Sequence, residues 1–196
     1  IGHTPFGHAG ERYLSELLHA ETGIYFNHNV HSVRVLDKIF SYNLTLQTLN
    51  GIAGHNGEIE KEIYTPSHVS TFAEFDNLIE KCYIDQNKIL SLNPSTLEGC
   101  VVRISDIIAY LGKDRQDGTR TKVYNENDFE KTAIGNLNAE IINNLSVNII
   151  KNSYGEKRHN IPLGENTSFQ IFSFVEHIHY TTKSKQYQYD FEKKLV

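Results

Sequence analysis

The 196-residue sequence has no methionine, no tryptophan, four prolines and two cysteines. Cys82 and Cys100 are far apart in sequence and neither belongs to a CxxC pair, which excludes a disulfide framework and a zinc ribbon and leaves two buried thiols as the expectation. No window approaches the roughly 18 unbroken apolar residues that a membrane-spanning helix needs, and the N-terminus lacks the charged-then-apolar layout of a secretory signal. A cytoplasmic location is therefore expected, with no membrane partner. There is also no excess of positive charge. Nineteen Lys and Arg stand against 24 Asp and Glu, a net charge of -5 with histidine neutral, so no basic face advertises nucleic-acid binding. A small substrate or a protein partner fits better. Methionine is missing even at position 1, and Ile1 leads directly into a Gly/His/Pro-rich segment, so the chain reads as a piece of a longer protein.

What the sequence does have is the composition of a folded chain, 39% hydrophobic and 22% charged. Its length suits one domain, or one large domain with a small appendage. Apolar residues recur at helical spacing. Tyr13, Leu14, Leu17 and Leu18 predict a helix over Glu11 to Ala20, broken by Thr22-Gly23. Asn27 and Asn29 are caps for a second, with Val30, Val33, Leu36, Ile39 and Phe40 on its apolar face. A third is expected from about Leu44 to Ala53, and a fourth from Phe72, Phe75, Leu78, Ile79 and Cys82. The polar stretch Glu58 to Ser70 reads as a loop. Asn93-Pro94-Ser95-Thr96 supplies cap chemistry for the longest apolar helix, Thr96 to Gly112, marked by Leu97, Val101, Ile104, Ile108 and Leu111. A polar span, Lys113 to Asn127, precedes segments at Phe129 to Leu137, Ala139 to Asn152 and about Ser168 to Tyr180. No alternating strand pattern or repeat is visible, and the fold class predicted is all-α.

Chemistry is densest at the start. Gly2-His-Thr-Pro-Phe-Gly-His-Ala-Gly-Glu11 packs two histidines, a carboxylate and three glycines into one turn and a helix start. His8 and Glu11, three apart, share a helix face and can hydrogen-bond. A carboxylate beside an imidazole fixes its tautomer and raises its basicity, which suits proton transfer near neutral pH. Taken by itself, the same spacing also describes an ordinary helix start whose acid favours the dipole. A second cluster is Asp106, Tyr110 and Asp114. At about 100° per residue these stay within about 80° of one another on a helix. Asp106 in an otherwise apolar helix calls for a metal or ion partner, since an unpaired buried carboxylate is costly.

The string GHTPFGHAGE resembles the segment that directly follows the His-Asp pair of HD-domain phosphohydrolases, in the deoxynucleoside triphosphate triphosphohydrolase (dGTPase-like) branch. Three more blocks resemble that branch in the same order: Phe26 to Leu36, Asn43 to Ile52 with His55-Asn-Gly-Glu58, and Leu97 to Tyr110. The resemblance implies an all-α HD-type helical bundle, here a fragment, with residues 1–124 as the HD core and 125–196 as a helical extension. It implies a divalent metal ion (Mg, Mn, Zn, Fe, Ni or Co) held by a His, an adjacent His-Asp pair and a later Asp. Of these ligands the sequence contains only the last, Asp106, and Ile1 stands just after the expected pair. The family pattern also gives His3 and His8 as residues of the phosphate site, Glu11 as the acidic partner of the catalytic histidine, His28 as a neighbour of the α-phosphate, Tyr110 and Asp114 as contacts to deoxyribose, and His55 as a residue near the substrate pocket. The implied reaction converts a deoxynucleoside 5′-triphosphate to deoxynucleoside and inorganic triphosphate, in a homo-oligomer. Two alternatives are an HD-type phosphodiesterase or nucleotidase for another nucleotide and a nucleotide-sensing module without turnover.

Overall fold

The computed structural model describes residues 1–55, 63–122, 125, 134–153 and 161–162; the side chains at 111, 112, 114, 115, 152, 161 and 162 lie outside that description, as do the remaining residues. The predicted helices at Phe129 to Leu137 and Ser168 to Tyr180 thus fall wholly or largely outside the described residues. The chain divides into two units, Ile1–Glu60 with Thr65–Ile104, and Lys61–Tyr64 with Ser105–Val196. The fold is all-α. No helix among the described residues is long and apolar enough to cross a membrane.

The helices of the first unit are α1 (Gly7–Thr22), α2 (His28–Arg34), α3 (Leu46–Ala53), α4 (Phe72–Ile84), the single-turn α5 (Asn87–Leu90) and the start of α6 (Leu97–Arg120). Their ends follow from side chains that satisfy orphan amides. The Asn27 side chain accepts from the Asn29 amide at 3.0 Å, Thr45 Oγ1 from the Thr48 amide at 3.2 Å and Thr96 Oγ1 from the Gly99 amide at 3.1 Å. At α4 the bonds are reciprocal, Thr71 accepting from the Glu74 amide and the Glu74 carboxylate from the Thr71 amide, which is a capping box. α1 ends where Gly23 takes a left-handed conformation, φ 74°, and its amide donates to the His19 carbonyl.

The core of this unit is Val30 and Val33 of α2, Leu46, Leu49 and Ala53 of α3, Phe75, Ile79 and Cys82 of α4, and Ile89 and Leu92. α2 packs on α3, and α3 on α4. Arg103 of α6 is also buried, and its Nη1 donates to the Leu92 carbonyl at 2.8 Å and lies 3.3 Å from Asn93 Oδ1 and 3.4 Å from the Gly54 carbonyl. One guanidinium therefore ties the end of α3 and the 92–93 turn to α6. Both cysteines are buried free thiols, as expected, and burial pushes the Cys82 thiol up to about 11.

Several expected faces turn out differently. α2 does not continue to Phe40 as a regular helix; Val35–Ile39 forms one turn of π-helix, which rotates the following residues off the apolar stripe, and Ile39 and Phe40 are exposed. Phe72, at the first turn of α4, is 52% exposed whereas Phe75 is 1% exposed. On α6 the buried residues are Cys100, Arg103, Ile104 and Ile108, while Leu97 and Val101 are exposed. The helix also runs to Arg120, through residues expected to be a polar span, where Lys113 Nζ and Asp117 Oδ1 pair across one turn at 3.1 Å.

In the second unit, α7 (Asn138–Ser153) matches the predicted helix over Ala139 to Asn152. Glu140 accepts the Asn136 and Leu137 amides at 3.0 and 3.2 Å at its start, and Ile141 and Leu145 are buried. Within the stretch read as a loop, Ile63–Tyr64 forms a two-residue strand, β1, paired antiparallel with β2 (Ile161–Pro162), Ile63 opposite Pro162. So short a pair leaves no alternation to read in the sequence.

The two α4 phenylalanines give a direct test of the packing. Phe75→Ala should cost about 3–5 kcal/mol through lost burial and the cavity left behind, whereas Phe72→Ala should stay within about 0.5 kcal/mol; urea unfolding of both variants checks this.

A candidate imidazole and carboxylate site

The opening turn is shaped by missing side chains. Phe6 and Gly7 both take left-handed conformations, φ 65° and 58°, which swings the chain into α1 without a side-chain cap. Gly10 is then pressed against Pro5, so that a Cβ there would lie 2.0 Å from the Pro5 carbonyl oxygen. Gly2 sits against α2, where a Cβ would lie 2.5 to 2.7 Å from Ser32 atoms. The Ser32 hydroxyl is shared between the carbonyls of Ile1 and His28, the latter at 2.7 Å. These contacts bring His3 and His8 to the start of α2.

α1 docks on the same segment through polar groups. Tyr13, Leu14 and Leu17, expected to face the core, are exposed, and the buried residues of the helix are Glu11 and Ser15. Ser15 Oγ accepts the Phe26 amide at 3.0 Å. Glu11 Oε1 accepts the His28 amide at 2.7 Å, Asn27 Nδ2 at 3.1 Å and the His28 ring Nδ1–H at 3.0 Å, and Oε2 accepts the same Nδ1–H at 2.9 Å. The backbone entering α2 presents amides that need acceptors; a carboxylate and a hydroxyl one turn apart on α1 provide them. Burial pushes the Glu11 carboxyl upward, but hydrogen bonds from the His28 ring and amide, and the charges of His28 and His8, more than offset it and hold the pKa below its ordinary 4.5.

Four imidazoles gather around this carboxylate. The rings of His3 and His28 stack at 4.5 Å, His8 lies 5.2 Å from His3 and 5.7 Å from His28, and His55 stands edge-on to His28 at 5.3 Å. His55 Nδ1–H donates to the Ile52 carbonyl at 2.6 Å, and the fully buried Asn29, which donates to the Ala53 carbonyl, lies 3.3 Å from the same ring nitrogen. Each of His3, His8, Glu11 and His28 offers a ligand atom, all four atoms lying within 4.8 Å of one another, so this group can hold a metal ion. Glu11 and His28 are buried and His3 and His8 exposed.

Five expected site residues, His3, His8, Glu11, His28 and His55, thus share one site in the first unit. The partner of Glu11 differs from the expectation: its hydrogen bonds described above go to His28 and Asn27, with His8 a neighbour. Asn27, Ser15 and Ser32, which build the site without facing a substrate, carry no sequence signal beyond ordinary cap and helix chemistry. Asp106 and Tyr110 lie one turn apart on α6 in the second unit, Asp106 half-buried and Tyr110 exposed. Asp114 is on the same helix with its side chain outside the described residues, and Glu58 lies outside them entirely.

A carboxyl whose folded pKa is depressed stabilises the fold fully above its unfolded value, and that contribution drains away as pH falls through the folded value. Glu11→Gln should therefore cost roughly 1.5–3 kcal/mol at neutral pH, with the gap from wild type narrowing below about pH 4.5. Unfolding free energies of both proteins across the acid range check the sign; a gap constant down to the acid limit would contradict it.

No family model matches the sequence, and no solved structure matches it. Among curated proteins, a deoxyguanosinetriphosphate triphosphohydrolase-like protein of Pelagibacter ubique is 34% identical over 89% of this chain and 41% of its own length. Proteins of the same description from Rickettsia felis and Clostridium tetani are 30% and 33% identical, over 90% and 84% of this chain and 50% and 39% of their own lengths. The chain thus spans half or less of the length of each of these relatives. Similarity that runs through most of this chain, in relatives from three separate genera, is more than a shared motif produces: the chain belongs to the deoxyguanosinetriphosphate triphosphohydrolase-like family.

Proposed function

We propose that this chain is part of a phosphohydrolase that cleaves deoxynucleoside 5′-triphosphates to deoxynucleoside and inorganic triphosphate. The observation that carries the proposal is the assembly of His3, His8, Glu11 and His28 into one group on a segment shared with relatives described as deoxyguanosinetriphosphate triphosphohydrolase-like. The reading extends to the homo-oligomer and to the sugar-contacting roles of Tyr110 and Asp114 that the resemblance implies.

The catalytic ion implied by the resemblance would draw on Asp106. One carboxylate is not a metal site, and the sequence has no His-Asp dipeptide, so the steps here run on protein groups alone. Glu11 accepts the Nδ1–H of His28 and thereby holds its Nε2 as the atom that takes or gives a proton. Water attacks the α-phosphorus, the bond from phosphorus to O5′ breaks, and the proton lost by water and the proton gained by O5′ pass through the imidazoles of His28 and His8. His3, stacked on His28, offers an N–H donor to the phosphoryl oxygens as charge develops there. Imidazoles, rather than lysines or arginines, would receive the polyphosphate in a chain whose net charge is -5.

In the full-length gene product, incubation with deoxyguanosine triphosphate should release inorganic triphosphate and deoxyguanosine. His8→Ala, at an exposed position, should lower kcat by about 10²–10⁴ without loss of helical circular dichroism. Release of nucleoside monophosphate, or an unchanged rate in the variant, would sink the assignment.

A further inference from the structure

We propose that His3, His8 and His28 bind a divalent transition-metal ion of the zinc class at a site that makes no use of Asp106, with Glu11 as the carboxylate behind His28. This goes beyond the hydrolase reading and does not depend on it.

Three observations carry it. The first is proximity, since one ligand atom from each of the three imidazoles and from Glu11 falls within 4.8 Å of the others. The second is the tautomer. His28 Nδ1–H is committed to both Glu11 oxygens, at 3.0 and 2.9 Å, and His3 Nδ1–H is directed to the Thr4 carbonyl at 3.3 Å. In the neutral ring this leaves Nε2 as the lone pair on each. Metal-binding histidines use the same arrangement, donating the other ring N–H to a carboxylate or a backbone carbonyl that orients the ring.

The third is how Glu11 is occupied. Its Oε1 already accepts three N–H groups, from Asn27, the His28 amide and the His28 ring. An oxygen so used is a poor ligand and a firm anchor, which places Glu11 behind His28 rather than on the ion. Three neutral imidazoles suit zinc, cobalt, nickel or copper and not magnesium or calcium, which take oxygen donors. With Glu11 and His28 buried and His3 and His8 exposed, the base of the site is fixed and its outer side is reachable from solvent. That is the layout of a three-ligand site with a position left for water.

The test is titration of the purified 196-residue chain with cobalt(II) alone, followed by visible absorption. One cobalt per chain is expected, displaced by zinc and unaffected by excess magnesium. His3→Ala and His8→Ala, both at exposed positions, should each weaken binding by roughly tenfold or more, Glu11→Gln by roughly 10–100-fold, and Asp106→Asn should leave it unchanged. His28→Ala should behave like His3→Ala if it folds; the two exposed variants carry the test if it does not. Failure of the wild-type chain to bind cobalt, indifference of binding to His3→Ala and His8→Ala, or a loss in Asp106→Asn equal to theirs would overturn the proposal. Cobalt binding without triphosphate release leaves this site standing and removes the hydrolase reading; triphosphate release by a protein whose chain takes up no cobalt does the reverse.

Discussion

The carboxylate of Glu11 is the interaction on which the rest of the first unit's chemistry depends. It sits on α1, it is buried, and its bonds go to the residues that begin α2. A salt bridge between side chains alone would orient a ring; this one also holds the backbone amide that carries the ring. The position of α2, the tautomer of His28 and the stacking of His3 on His28 are consequences of one acceptor group. A buried carboxylate is tolerable only when its lone pairs are used, and here three separate donors use them.

This polar docking explains why the sequence is legible in part. The density of histidine and glycine in residues 2 to 11 marks the site, and the resemblance brings in His28 and His55. The pairing inside the site is not legible. His8 and Glu11 are neighbours on a helix face, which suggests a local pair, whereas the carboxylate goes to a residue 17 positions away that only the tertiary fold supplies. The orientation of α1 is misread for a related reason. Hydrophobic periodicity assumes that apolar residues turn inward, and on α1 the unsatisfied amides at Phe26 and His28 have the stronger claim, so Glu11 and Ser15 are buried while Leu14 and Leu17 face out.

Elsewhere the helices themselves are found and their limits are not. Caps at Asn27 and Thr96 are visible as residue types, and they stand where expected. α6 outruns its expected end because residues 113 to 120 are polar, and polarity is compatible with a solvated helix when charges pair across a turn. Arg103 within an apolar helix gives no warning of burial; its reason is a set of backbone carbonyls from two distant segments. The π-turn after Arg34 has no composition signature at all.

That turn has a consequence for how the chain tolerates length changes. Val35–Ile39 accommodates one more residue per turn than the α-helix before it, so it behaves as a splice already stretched by a single insertion. Removing one residue there would let the segment relax to ordinary α geometry and turn everything after it by about 100°, whereas the same deletion within α2 would wind His28 and Ser32 out of register with α1. Lineages that differ by one residue in this region should therefore place the gap after Arg34 and keep the spacing from Asn27 to Val33 intact.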